Sequence, residues 1–121
     1  MTDKCLFDRM GGKATVDAVV EQSYDKQVVD PKVGHYFEGK DMSTLKAHQK
    51  DFLSYAFGKP GHEYTGRSMK EVHKGLNIKD DDFNAYANNM NNTLKELSVP
   101  SGEAAEAMQF IEGQRKNIVG Q

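Results

Sequence analysis

The chain has 121 residues, the length of one domain, and its 16 basic against 18 acidic side chains leave a net charge of −2 with histidine neutral. A nucleic-acid-binding domain of this size would be strongly basic, a mean hydropathy of −0.73 without any long apolar run excludes a membrane span, and a single cysteine closes no internal disulfide. The start, Met1-Thr2-Asp3-Lys4-Cys5, has no apolar stretch of signal-peptide length, so a cytoplasmic location is expected.

Periodicity is helical almost throughout. Leu6, Phe7 and Met10 suit a short first helix that Gly11-Gly12 breaks. Val16, Val19, Val20, Tyr24, Gln27 and Val28 then follow the three- and four-residue spacing of one buried stripe. Asp30-Pro31 predicts a helix start, with aspartate as cap and proline in the first turn, and only a turn or two fits across Val33, Tyr36 and Phe37 before Gly39. Ser43 is placed to cap a second long helix whose inner stripe is Leu45, His48, Gln49, Phe52, Leu53 and Ala56. Gly58, Pro60, Gly61 and Gly66 mark a loop of roughly ten residues. Ser68-Met69-Lys70-Glu71 is a capping-box pattern, opening a short helix with Met69, Val72, His73 and Leu76 on one face and Gly75 near its end. Asp80-Asp81-Asp82 suits another helix start, with Phe83, Tyr86, Ala87, Met90, Leu94 and Leu97 inward. Pro100-Ser101 breaks and recaps the chain, and Ala104, Met108, Ile111, Ile118 and Val119 finish it. With no useful strand-type alternation and no repeat, residues 1–121 read as one all-α domain.

Leu, Ile, Val and Phe make up about a fifth of the chain, near the lower limit for a self-sufficient core. Such a core is often supplemented by a metal, a partner subunit or a prosthetic group. The apolar stripes are also interrupted by Tyr24, by the adjacent His48 and Gln49, and by His73. A buried polar group left without a partner costs roughly 1–3 kcal/mol. One histidine on an apolar helix face is commonly a satisfied core residue, but two on separate stripes, with a tyrosine and a glutamine in pattern, favour a shared site. His35 and His62 fall in short or loop segments and read as surface residues. Structural zinc wants three or four ligands, and Cys5 sits far off at a terminus. Two histidines among Phe, Met, Val and Leu instead suit heme iron, whose porphyrin supplies four nitrogens and a large apolar disc. Phosphate-cradling loops, nucleophile elbows and His-Glu-x-x-His are absent.

In order and spacing, several motifs resemble the truncated hemoglobins of the first group, over nearly the whole chain from Leu6 to Val119. They are Gly11-Gly12, Asp30-Pro31, Tyr36-Phe37, Asp41-Met42, Ala47-His48-Gln49-Lys50-Asp51-Phe52-Leu53-Ser54-Tyr55-Ala56-Phe57-Gly58, Gly66-Arg67-Ser68-Met69, Val72-His73-Lys74 and Thr93-Leu94-Lys95-Glu96-Leu97. The resemblance implies a truncated globin, two antiparallel helix pairs stacked two over two around heme. It implies His73 as the proximal iron ligand, Tyr24 and Gln49 as distal donors to bound gas, and Phe37 as the ring packed on the porphyrin. By the same resemblance Phe52, Leu53, Met69, Val72, Leu76 and Phe83 line the pocket, and Arg67 and Lys70 are candidates either for the propionates or for a solvated surface. His48 matches a position that supplies a second axial histidine in cyanobacterial members. Leu45 stands where many relatives carry another distal glutamine. Gln114 stands where some carry a histidine bonded covalently to heme, so heme b is expected to be held non-covalently.

The expected function is reversible binding of oxygen, nitric oxide or carbon monoxide at ferrous iron, in oxygen transport or in nitric oxide dioxygenation with a reductase partner. The alternative is electron transfer or redox sensing with His48 and His73 both on iron, and a helical interaction module without heme is a third reading. The core uses up the apolar stripes, so a monomer is expected, with neither nucleic acid nor membrane as partner.

Overall fold

The computed structural model describes residues 5–59, 61 and 73–120. The first helix, α1 (Leu6–Met10), ends on Gly11 at a φ of 119°, where the Gly11 and Gly12 amides donate to the carbonyls of Asp8 and Phe7. Only glycine takes that left-handed conformation without strain, and a methyl group there would also run into Thr15. The second helix, α2 (Lys13–Val29), buries Val16, Val19, Val20, Ser23, Tyr24 and Gln27. The predicted stripe therefore holds to Gln27 but not to Val28, which is 41% exposed in the last turn beside the still more exposed Val29.

Asp30-Pro31 does not open an α-helix. The Asp30 carbonyl accepts from the Gly34 amide at 2.8 Å and its carboxylate from the Lys32 amide at 2.7 Å, which bends the chain into a turn and then a 3-10 helix, Gly34–Phe37. Glycine at 34 permits a close crossing, since a Cβ there would lie 2.7 Å from the Val28 carbonyl oxygen. The next helix, α3 (Met42–Ala56), is capped by Asp41 and not by Ser43. Asp41 Oδ1 accepts from the amides of Ser43 and Thr44 at 3.0 and 3.4 Å, so Ser43 already lies inside the first turn.

Of the short helix expected around His73, residues 73–76 are described: the Leu76 amide donates to the His73 carbonyl at 3.1 Å, and Gly75 has a φ of 86°. Met69 and Val72, with His62, Arg67 and Lys70, lie outside the described residues. Three aspartates begin α4 (Asp80–Glu96), complementing its N-terminal dipole, and Phe83, Met90, Thr93 and Leu94 are its buried face. The helices α5 (Ser101–Gly113) and α6 (Arg115–Ile118) complete the order. Ile78 and Val119 meet in one isolated bridge, with the Gly120 amide donating to the Ile78 carbonyl at 2.9 Å.

Helix α2 packs on both α3 and α4, α4 packs on α5, and α1 lies against α5, a two-over-two sandwich. Val20, Leu53, Phe83, Met90 and Leu94 meet at its centre, each side chain contributing roughly 1.5–3 kcal/mol by leaving water. Arg115 ties α6 to the start of α4: it pairs with Asp80 at 3.0 Å and its guanidinium lies 4.5 Å from the Phe83 ring centroid. Among the described residues no helix is long and apolar enough to cross a membrane.

Candidate functional site

A cavity of about 380 Å³ opens between α2, the 3-10 helix, α3 and α4, within the range of roughly 300–1,000 Å³ common for ligand pockets. Nine of the residues that the resemblance assigns to the heme site line it: Tyr24, Phe37, His48, Gln49 and Phe52, then Leu53, His73, Leu76 and Phe83. The lining also includes Leu45 on α3 and, from the C-terminal part of the chain, Phe110, Gln114 and Ile118.

Tyr24 projects from the buried stripe of α2 and is 7% exposed, with the Phe37 ring edge-on at 5.5 Å. Among the described residues its hydroxyl has no hydrogen-bond partner, yet its oxygen is not sealed in protein, so it opens on the cavity. Burial pushes this phenol up to about 12, which keeps it protonated and a donor at neutral pH. Gln49, one turn before Phe52 and Leu53 on α3, donates from Nε2 to the Tyr86 hydroxyl oxygen at 3.2 Å.

The sequence places Tyr86 on an apolar helix face and gives it no polar role. In the structure it lines the cavity, and its carbonyl also accepts from Gln27 Nε2 at 3.1 Å. Burial first, then the neighbouring Tyr24 hydroxyl, raises its phenol well above the ordinary tyrosine value. The periodicity that assigned Tyr86 inward was the available signal; its partner, 37 residues away, leaves no trace in local spacing.

The two histidines reach the cavity from different segments. His48 is exposed, on the α3 side with Lys40 and Thr44, whereas His73 is half-buried and enters from the stretch preceding α4. His35 is exposed and lies against Tyr36 with ring centroids 4.0 Å apart. At the rim the Tyr36 hydroxyl donates to Asp82 Oδ2 at 2.6 Å, tying the 3-10 helix to the first turn of α4. Burial, then the Asp82 carboxylate, pushes the Tyr36 phenol up to about 12.

Among the described residues no group of three His, Cys, Asp or Glu side chains is placed to hold a bare metal ion. The donor set suits a metal that brings most of its own ligands: an imidazole within an apolar cavity, aromatic rings for a flat apolar body, and a phenol that faces the cavity for a small polar ligand. Heme fits that description.

The fold and this pocket together are those of a globin in its shortened, two-over-two form. The profile of the bacterial-like globin family matches residues 5–119. The group 1 truncated hemoglobin of Tetrahymena thermophila is 39% identical over 115 residues, which cover 95% of this chain and 94% of that protein. The crystal structure of the Tetrahymena pyriformis truncated hemoglobin in its Fe(III) form has a TM-score of 0.91 at 36% identity, covering 98% of this chain and all 100% of that one. The 2/2 hemoglobin of a Synechococcus species, solved in the cyanomet state with covalently attached heme, has a TM-score of 0.90 at 34% identity, with 98% and 100% covered. The chain belongs to the bacterial-like globins and, within them, to the group 1 truncated hemoglobins, which makes it a heme-binding protein.

Proposed function

We propose that this globin holds heme b non-covalently and reversibly binds oxygen, with His73 as the iron ligand and Tyr24 and Gln49 as the donors on the gas side. The observation that carries the reading is the buried Tyr24 hydroxyl, without a hydrogen-bond partner among the described residues, opening on the cavity that His73 also lines. Heme, when bound, supplies an iron atom that takes up oxygen, nitric oxide or carbon monoxide, and a wide apolar disc for the thin core. Phe37, Phe52, Leu53, Leu76 and Phe83 offer that disc an apolar lining and keep water from the site. The Tyr24 hydroxyl donates to the partly negative oxygen of a gas ligand, a bond strengthened by the low dielectric around it. Gln114, at the cavity's C-terminal side, is a carboxamide without the ring nitrogen that a covalent tie to a vinyl group needs, so acid–solvent extraction should release all of the heme.

Donors on the gas side slow the release of oxygen, which suits chemistry better than transport. The enzymatic form of this reading is nitric oxide dioxygenation, in which oxygen and nitric oxide leave together as nitrate and an external reductase returns one electron. The exposed position of His48 favours an iron site left open under Tyr24 over persistent binding by two histidines. The test is the absorption spectrum of the hemin-loaded protein, reduced under argon, for the wild type and His73→Ala. A broad high-spin spectrum is expected for the wild type, lost in His73→Ala together with nitrate formation. An unchanged spectrum in the variant overturns His73 as the ligand, and sharp split bands that vanish in His48→Ala overturn the open site.

A further inference from the structure

We propose that Tyr86 is a positioning residue for Gln49, and that a hydrogen-bond chain beginning at Asp30 holds Tyr86 in place. The inference rests on the reading of Gln49 as a gas-side donor and adds what fixes it there.

A glutamine amide has two N–H bonds and a side chain with several soft torsions, so its aim into a pocket has to be imposed from outside. Here Gln49 Nε2 donates one proton to the Tyr86 hydroxyl oxygen at 3.2 Å, which leaves the other for a ligand in the cavity. Since Tyr86 acts as acceptor in this bond, its own proton remains, and among the described residues it meets no acceptor. A phenylalanine at 86 would occupy the same space on α4 and lack only the oxygen that Gln49 uses.

Tyr86 is in turn fixed through its backbone. Its carbonyl accepts from Gln27 Nε2 at 3.1 Å, and Gln27 is fully buried on α2. Gln27 Oε1 accepts from Asn89 Nδ2 at 2.8 Å, Asn89 Nδ2 also donates to Asp30 Oδ2 at 3.0 Å, and the other Asp30 oxygen accepts from the Lys32 amide. Hydrogen-bonded partners thus run without a gap from the turn after α2 to the amide over the cavity. A carbonyl and a carboxylate can only accept, so the Gln27 and Asn89 amides are fixed in orientation by the Tyr86 carbonyl and by Asp30.

The test compares holoprotein of the wild type, Tyr86→Phe, Gln49→Leu and the double variant, reading release of oxygen and of carbon monoxide and the C–O stretching frequency. Tyr86→Phe is expected to speed oxygen release about fivefold, the factor one neutral hydrogen bond carries, while carbon monoxide release stays within about twofold. In the Gln49→Leu background the same substitution should add nothing. Oxygen release at the wild-type rate in Tyr86→Phe overturns the proposal, as does an equal factor in both backgrounds. If Gln49→Leu is silent, Gln49 is not a gas-side donor; the proposal falls with that reading, and His73 and Tyr24 stand. Should Tyr86→Phe not fold, amide exchange in the carbon monoxide form of the wild type decides: one slowly exchanging Gln49 Nε2 proton supports the bond to Tyr86, and two fast ones overturn it.

Discussion

The wall that α2 and α4 give the cavity is tied through its interior, whereas the wall given by α3 is tied mostly along its edges. Across the first run the bonds of Gln27 to Tyr86 and of Asn89 to Gln27 and Asp30. Helix α3 is held by the Asp41 cap at its start, by Leu53 in the core, and by Lys46 and Lys50 on Glu21 at 2.9 and 2.7 Å. Those two ion pairs are solvent-accessible, and pairs of that kind orient a helix more than they stabilise it. Gln49 is where the interior bonds of the first wall reach across to the second, while the Glu21 pairs join the two at the surface. A change inside the first wall should therefore be felt in stability and in gas release together. A change at the edge of the second should be felt in stability alone.

The largest effect is expected from Gln27→Ala. It empties a fully buried site, removes the second donor on the Tyr86 carbonyl and leaves one Asn89 proton without its acceptor, for a loss of about 3 kcal/mol in urea-induced unfolding. Oxygen release should quicken as well, because Tyr86 loses its anchor. A loss below about 1 kcal/mol, the worth of one ordinary hydrogen bond, would show that the interior network does not hold this wall together.

Alkali should separate the walls next. Tyr24 on α2 is pushed up to about 12 by burial, and Tyr86 on α4 is raised as well. The unfolded chain gives up these protons near the ordinary value of 10 while the folded chain keeps them. The stability Tyr24 contributes is fully present below pH 10 and is lost as pH rises through about 12, and that of Tyr86 is lost in the same direction, with delayed appearance of the tyrosinate absorption band as the direct measurement. Acid works on the opposite sign. Lys50 and Lys46 hold the Glu21 carboxyl below its usual range, and Asn89 and the Lys32 amide do the same for Asp30. What those carboxylates contribute is present above the unfolded carboxylate value and fades as pH falls through the folded one. Tyr24→Phe should remove part of the alkaline loss and leave the acid limb unchanged.

The part of this molecule legible in the sequence is the part set by local periodicity. Val16, Val19, Val20 and Tyr24 face inward because a helix repeats every 3.6 residues, and Gly11-Gly12 ends α1 because little else takes that backbone. The same logic brought Tyr24, Gln49 and His73 to one cavity. Competition among neighbouring polar groups was not legible. Asp41 and Ser43 both cap well, and the aspartate two residues earlier takes the amides. Asp30 has the chemistry of a cap, but its carboxylate is bonded to Lys32 and Asn89 in a turn. Nor does spacing tell a histidine aimed at the interior from one at a rim, and His48 lies exposed on a stripe that reads as buried. Tyr86 shows the limit most clearly, since its role depends on residues brought near only by the finished fold.

Asp41→Ala is the smallest of these effects and the one that isolates the edge of α3. The side chain accepts from the Ser43 and Thr44 amides and from Thr44 Oγ1 at 3.1 Å, and it is exposed, so its loss opens no cavity. Removing an N-cap of this kind costs about 1 kcal/mol, or about 4 °C in Tm for a chain of this size. Gln49 lies two turns further along α3, and its amide is held by Tyr86, not by the cap. Oxygen release should therefore match the wild type in Asp41→Ala while Tm falls. If release quickens in step with the loss of stability, the gas-side donors depend on how firmly α3 is seated as a whole, and the contrast between the two walls does not hold.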